Sequence, residues 1–158
     1  MDTEPAPRTL PAHQCSIHRT LDVIGEKWSL LIVRNAFRGQ SRFSEFRDSL
    51  GVPSDVLTAR LSTLVAAGIL ERRSYREPGS RERSSYHLTE EGRGLTIVLA
   101  ALQQWGDEFT PNPGGRVSVI EVADNHEEVA LAFVDSHGDT VDRGLVRLAP
   151  GPAATISW

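Results

Sequence analysis

The stretch from Val52 to Gly68, VPSDVLTARLSTLVAAG, constrains the fold more than any other part of the chain. Leu57, Leu61, Leu64 and Gly68 recur at steps of four, three and four, which draws a single apolar stripe along a helix. Pro53 and Ser54 open it: proline pre-sets φ for a first turn, and the serine hydroxyl can accept from an unpaired N–H just inside. Gly68 supplies the C-terminal stop. With roughly 100° of rotation per residue, Asp55, Thr58, Ala59 and Ser62 fall on the side away from the stripe. That outer face is small and polar, so no bulky side chain holds it away from a partner surface.

The flanking segments give this helix its context. Ser16 to Ile24 has helical spacing with Ile17, Leu21 and Ile24 inward, and Gly25 breaks it. Lys27 to Phe37 follows, carrying Trp28, Leu31, Ile32, Asn35 and Ala36 at helical spacing, and Gly39 ends it. Trp28 reads as a core residue in preference to a binding aromatic, because it shares the stripe of Leu31 and Ile32. Ser41-Arg42-Phe43 reads as a short extended link, and Ser44 to Leu50 as a third helix with Phe43, Phe46 and Leu50 inward. Ile69 to Tyr75 and Ser84 to Leu88 have strand character, with Pro78-Gly79 as the turn signal between them. A short helix, a turn, a smooth-faced helix and an Arg-rich hairpin form the order of a winged helix-turn-helix, mainly α with a β-wing.

Thr89 then caps a long helix expected from Glu90 to about Phe109. Leu95, Val98, Leu99, Leu102, Trp105 and Phe109, widened by Ile97 and Ala101, give it more apolar surface than a lone edge helix needs. The expected use of that surface is a dimer interface, since a helix-turn-helix gains affinity by pairing half-sites; packing on its own domain is the alternative. Pro111-Asn112-Pro113-Gly114-Gly115 breaks the chain, and Val117–Val122, Val129–Val134 and Leu145–Leu148 read as strands of a small C-terminal β-meander. The expected organisation is an N-terminal arm at 1–14, a winged-helix DNA-binding and dimerisation domain at 15–110, and a β extension at 111–158.

The net charge of −4 does not advertise a nucleic-acid binder, but its distribution matters more. Residues 111–158 hold three Arg against seven acids, a balance of −4, whereas residues 15–97 hold 13 Lys and Arg against 10 acids, a balance of +3. The segment Glu71 to Arg83 alone carries five Arg against three Glu. A solvated hairpin tip is also charged; beside a helix-turn-helix pattern, a nucleic-acid contact is the stronger reading. No apolar run approaches the roughly 18 residues of a membrane span, MDTEPAPRTLPAHQ lacks a signal-peptide pattern, and a lone Cys15 excludes an internal disulfide. Cytoplasmic location without membrane attachment is the default expectation. Nucleophile-elbow, zinc-protease, P-loop and dinucleotide motifs are missing, and the five His have no close ligand spacing. His126 and His137 do not make a structural zinc site. Neither catalysis, metal nor cofactor is expected.

Cys15, Leu21-Asp22-Val23-Ile24-Gly25, Lys27-Trp28, Arg42-Phe43-Ser44-Glu45, Val56-Leu57-Thr58, Arg60-Leu61, Leu88-Thr89, Gly92 and Trp105-Gly106 occur in this order. As an ordered set they resemble the HxlR family of bacterial winged-helix transcriptional regulators, from about Cys15 to Gly106. The resemblance implies a homodimer held by terminal helices, a recognition helix in the major groove and a wing beside the minor groove. It also implies, from many members, that the N-terminal cysteine senses electrophiles or oxidants; here that residue is Cys15. The family's wing arginine before the second strand matches Arg83. Asp55 departs from the pattern, since a basic residue is usual there; an acid repels phosphate but can accept from a cytosine amino group.

The expected DNA-facing set is Arg42, Ser54, Asp55, Thr58, Ala59, Ser62, Arg76, Arg81 and Arg83, on double-stranded DNA with a near-palindromic operator. A small-molecule or redox effector is an expected further partner. Cys15 has two readings: a sensor, with thiolate favoured by the start of the first helix and by His13, His18 and Arg19, or a structural thiol filling space under that helix. The competing functional reading is a winged helix for protein–protein interaction that docks through its acidic tail.

Overall fold

The structure, a computed structural model, describes residues 15–154. The expected arm at 1–14 lies outside the described residues. The chain forms two compact units, one running through Leu95 and the other starting at Thr96.

In the first unit, α1 (Ser16–Ile24), α2 (Lys27–Phe37), α3 (Phe43–Leu50) and α4 (Ser54–Ala66) precede the antiparallel pair β1 (Leu70–Tyr75) and β2 (Arg83–Leu88) and the short α5 (Glu90–Arg93). Leu57, Leu61 and Leu64 of α4 are buried with Ile32 and Val33 of α2, Phe46 of α3, and Leu70 and Leu88 at the base of the hairpin. Burying each of these side chains contributes about 1.5–3 kcal/mol, so the stripe of α4 is what holds the helix to the unit. Gly51, at φ 62, makes the turn between α3 and α4, donating its N–H to Arg47 O at 2.9 Å. A side chain there would carry the left-handed penalty of roughly 1–2 kcal/mol. Asn35 is also buried, and its Nδ2 donates to Gln40 Oε1 at 3.0 Å and Ser49 Oγ at 2.9 Å, which ties α2 to α3.

Several sequence expectations change. Ile24 is buried as expected, but Ile17 and Leu21 of α1 are 53% and 57% exposed, because no element of the first unit covers these two positions. On α2 the buried positions are Ser29, Ile32, Val33 and Asn35, so the stripe is rotated away from Trp28, which is only half-buried beneath Lys27 Nζ at 5.0 Å. Ser54 is the first residue of α4, and no side chain caps that end. The extended link before α3 does form: Arg42 bridges Ser85 in antiparallel fashion and Tyr86 N donates to Ser41 O at 2.7 Å, adding a short third edge to the hairpin.

The second unit starts with α6 (Thr96–Phe109). The single helix expected over Glu90–Phe109 is therefore two helices, since α5 closes at Gly94 after Thr89 has capped its start through Gly92 N. The C-terminal sheet is present but smaller than expected: β3 (Phe133–Val134) pairs with β4 (Thr140–Val141), and Glu121 bridges Glu128. Leu145–Leu148 is not a strand; a 3-10 turn runs over Arg143–Leu145. The reason lies in where the backbone bonds go. Gln104 of α6 offers both ends of its amide to Leu131, accepting from its N at 2.9 Å and donating to its O at 3.1 Å. Gln103 donates to Ser118 O at 2.9 Å, and Arg143 grips both carboxylate oxygens of Glu108 at 2.6 Å. Side chains of the helix thus take the place of a neighbouring strand.

Candidate nucleic-acid interface

On α4, Asp55, Thr58, Ala59 and Ser62 are all exposed, as is Ser54 at its start. The buried leucines fix the rotation of the helix, and the small residues opposite leave its backbone open to close approach. Two hydroxyls on this surface are already committed as donors: Thr58 Oγ1 donates to Ser54 O at 2.7 Å and Thr63 Oγ1 to Ala59 O at 3.0 Å. The one cation on the helix, Arg60, is turned to the side, 3.7 Å from Glu26 and only 30% exposed. Sequence reasoning assigned Arg60 no role; its place on the flank of the leucine stripe, one residue before Leu61, is the signal that could have found it.

The wing brings the arginines close to α3. Its strands pair from Leu70↔Leu88 to Tyr75↔Arg83, and the tip turns at Pro78-Gly79 with Ser80 N donating to Glu77 O at 3.0 Å. Arg76 braces this tip by donating from Nε to Ser80 O at 2.9 Å. Arg42 reaches from the start of α3 to Glu77 Oε1 at 2.8 Å and stacks 4.8 Å over the Tyr75 ring. Both partners of this ion pair are 45% exposed, so it contributes at most about 1 kcal/mol, and the stacked Tyr75 adds a similar amount. Its effect is to hold the wing against the helix-turn-helix. Tyr75 and Glu77 were missed in the sequence, where nothing local marks two residues so far from Arg42 as its partners.

Arg81 and Arg83 differ from Arg72, Arg73 and Arg76, which bond to Ser84, Glu71 and Ser80, because among the described residues neither of their side chains meets a hydrogen-bond or ion-pair partner. Together with Arg47, Phe43, Ser44, Tyr75 and Tyr86 they line an open groove of about 620 Å³ between α3 and the hairpin. In the first turn of α3 Glu45 accepts from the N–H groups of Ser41 (2.8 Å) and Arg42 (2.9 Å). The Arg42 N–H first, then that of Ser41, holds its carboxyl below the usual range, so the charge that fixes the start of α3 is kept.

The other expected site residues fall into two groups. Cys15 is half-buried immediately before α1, and its carbonyl accepts from Arg19 N at 3.1 Å. Of its expected basic neighbours, His13 lies outside the described residues, His18 sits 3.5 Å from Asp22, and Arg19 donates to Ser16 Oγ at 2.9 Å. Of the expected dimer residues, Leu102, Trp105 and Phe109 stand more than half exposed on α6, with Ile97 at 62%. Val98 is half-buried on the same helix, and Leu95, also half-buried, ends the first unit. Trp105 and Phe109 pack at 5.4 Å between ring centroids, and Arg143 lies over Phe109. Acids of the C-terminal segment are partly spent internally: Glu128 pairs with Arg116, Glu121 with His126, and Asp135 and Asp142 accept from backbone N–H groups in their own turns. Among the described residues, no group of His, Cys, Asp and Glu could hold a metal ion.

Known proteins share this architecture. An uncharacterised helix-turn-helix-type transcriptional regulator of Mycobacterium tuberculosis is 37% identical over 138 residues, covering 87% of this chain and 86% of its own. The crystal structure of PA1607, a proposed transcription factor, superposes with a TM-score of 0.76 at 34% identity, covering 89% of this chain and 97% of that one. The redox regulator HypR in its reduced form gives a TM-score of 0.54 at 34% identity, over 60% of this chain and 92% of its own. Residues 23–113 match the HxlR-like helix-turn-helix family. By its helix-turn-helix, its hairpin wing and this match, the chain belongs to that family and is a transcriptional regulator with a winged DNA-binding fold.

Proposed function

We propose that the protein acts as a homodimer on a near-palindromic operator, placing α4 of each protomer in the major groove and its wing against the backbone. The observation that carries this is the pairing of an exposed, small-residue face on α4 with two wing arginines, Arg81 and Arg83, whose side chains meet no partner among the described residues. Thr58, Ser62 and Asp55 meet base edges, Ala59 allows close approach, and Ser54 and Arg47 lie towards the phosphates. Arg42 and Arg76 act indirectly by bracing the wing. The two half-sites stand about one helical turn, roughly 34 Å, apart or a multiple of that.

The exposed Leu102, Trp105 and Phe109 of α6, with Ile17 and Leu21 of α1, support a dimer in which both helices are covered by the partner. Cys15, immediately before α1, is the proposed sensor, a reading supported by the likeness to the redox regulator HypR. As the only cysteine it can form a bridge between protomers, a mixed disulfide with a small thiol, or a sulfenic acid. Selection of duplex fragments by the purified protein tests the DNA reading. A two-fold motif is expected, and its base preference changes in Thr58→Ala or Ser62→Ala; equal binding to random and selected duplex at physiological salt overturns it.

A further inference from the structure

The face that α4 presents is unusual in its hydrogen-bonding chemistry. Guanine is usually read by Arg or Lys on its O6 and N7, and adenine by Asn or Gln. None of these four residue types stands on the exposed face of α4: the single arginine of the helix, Arg60, is drawn aside towards Glu26. Of the polar groups that do stand there, Asp55 can only accept when ionised. Thr58 already donates its hydroxyl hydrogen to Ser54 O at 2.7 Å, which leaves its oxygen as an acceptor beside a methyl group. Ala59 adds a second methyl. Ser62, like Ser54 at the start of the helix, keeps a free choice of donor or acceptor.

We infer that Asp55 is the specificity-determining residue of the recognition helix, reading the N4 amino group of a cytosine in each half-site, with Thr58 and Ala59 against thymine methyls. Asp55 lies at the second position of α4, and the N-terminal residues of a recognition helix are the ones that reach base edges. In the major groove only cytosine and adenine present an exocyclic amine, and only cytosine presents that donor without the neighbouring N7 acceptor. A carboxylate facing adenine N7 meets lone pairs with lone pairs; facing cytosine it does not. The same carboxylate repels the phosphates, so its presence lowers affinity for every sequence while raising the contrast between them.

This inference rests on the DNA-binding reading, and the test separates the two. Fragments are selected with the wild-type protein and with Asp55→Asn, which keeps size and shape but turns an acceptor-only group into a donor and acceptor. The wild-type motif is expected to hold one cytosine per half-site that becomes adenine in the variant, while overall affinity for random duplex rises. A second measurement replaces that cytosine by 2-pyrimidinone, which lacks the amine: wild-type affinity should fall by about tenfold per half-site, and Asp55→Ala should be indifferent to the replacement. An enriched motif that Asp55→Asn leaves unchanged overturns the assignment and leaves DNA binding standing. No enriched motif for the wild type overturns the DNA reading, and this inference with it.

Discussion

Replacing Gly92 by alanine sets two effects of opposite sign against each other. Gly92 lies in α5 with ordinary helical geometry, and on helix propensity alone alanine should stabilise by about 0.8–1 kcal/mol. Packing says the reverse. A Cβ at this position would stand 2.1 Å from the carbonyl oxygen of Ile69 and 3.1 Å from Leu88 Cδ2. The oxygen belongs to backbone at the foot of the hairpin and cannot swing away as a side chain would. Relief requires α5 to move outward, which stretches Gly92 N to Thr89 Oγ1 (3.0 Å), Thr89 Oγ1 to Gly68 O (2.6 Å) and Thr89 N to Ile69 O (3.1 Å). At about 1 kcal/mol net for each bond, the loss is about 3 kcal/mol, and the steric term of about 1–3 kcal/mol more than offsets the propensity gain. A net destabilisation of about 3–5 kcal/mol lowers the Tm of a unit of this size by about 12–40 °C. Urea and thermal denaturation of Gly92→Ala against wild type measure it. A variant as stable as the wild type, or more so, refutes the close approach of α5 to Ile69.

Trp105→Asp and Leu102→Asp should convert a homodimer to monomer with little loss of helix, because both side chains are exposed on α6; light scattering that finds the wild type monomeric at tens of micromolar (roughly a weak-dimer range) contradicts the interface. Cys15→Ser should keep operator binding when reduced and lose any response to diamide or a quinone; a wild type that holds its operator with Cys15 shown by mass spectrometry to be modified makes the thiol structural. For the C-terminal segment, hydrogen bonds from Arg143 and Arg116 hold the Glu108 and Glu128 carboxyls below their ordinary value of 4.5. Because folding depresses these values, the linked stability is complete above about pH 5 and is lost as pH falls through the lowered values. The side-chain carboxyl carbon signals of Glu108 and Glu128 should stay constant from about pH 7 to 5 and change only below about 4.5; a carboxyl transition near pH 6 at either residue contradicts the assignment.

The recognition helix was legible because its stripe is closed within one unit: Leu57, Leu61 and Leu64 face residues of α2, α3 and the hairpin that the same local periodicities had marked. Ile17 and Leu21 carry an equally clear apolar face, yet stand exposed, since periodicity reports that a face is apolar and not what covers it. The break between α5 and α6 was written in Gly94, which one isolated glycine within a helical pattern does not decide. The tail strands were over-read for a different reason. Their alternation is real, but their backbone partners are the side chains of Gln103 and Gln104, and side-chain pairing over such distances has no local signature. Thr58 and Arg60 show the finer limit: the sequence gives their side of the helix, whereas the committed hydroxyl and the sideways guanidinium depend on side-chain rotation in the folded chain.

Salt dependence of binding tests most directly whether the face formed by α4 and the wing is a DNA interface. On a selected duplex, the logarithm of the binding constant should fall linearly with the logarithm of salt concentration, by about 0.9 for each phosphate neutralised. Removing Arg81 and Arg83 together should flatten that slope by about 1.8 per protomer without altering the preferred sequence. A slope unchanged by the double substitution, or one near zero in the wild type, contradicts the placement of DNA against this face.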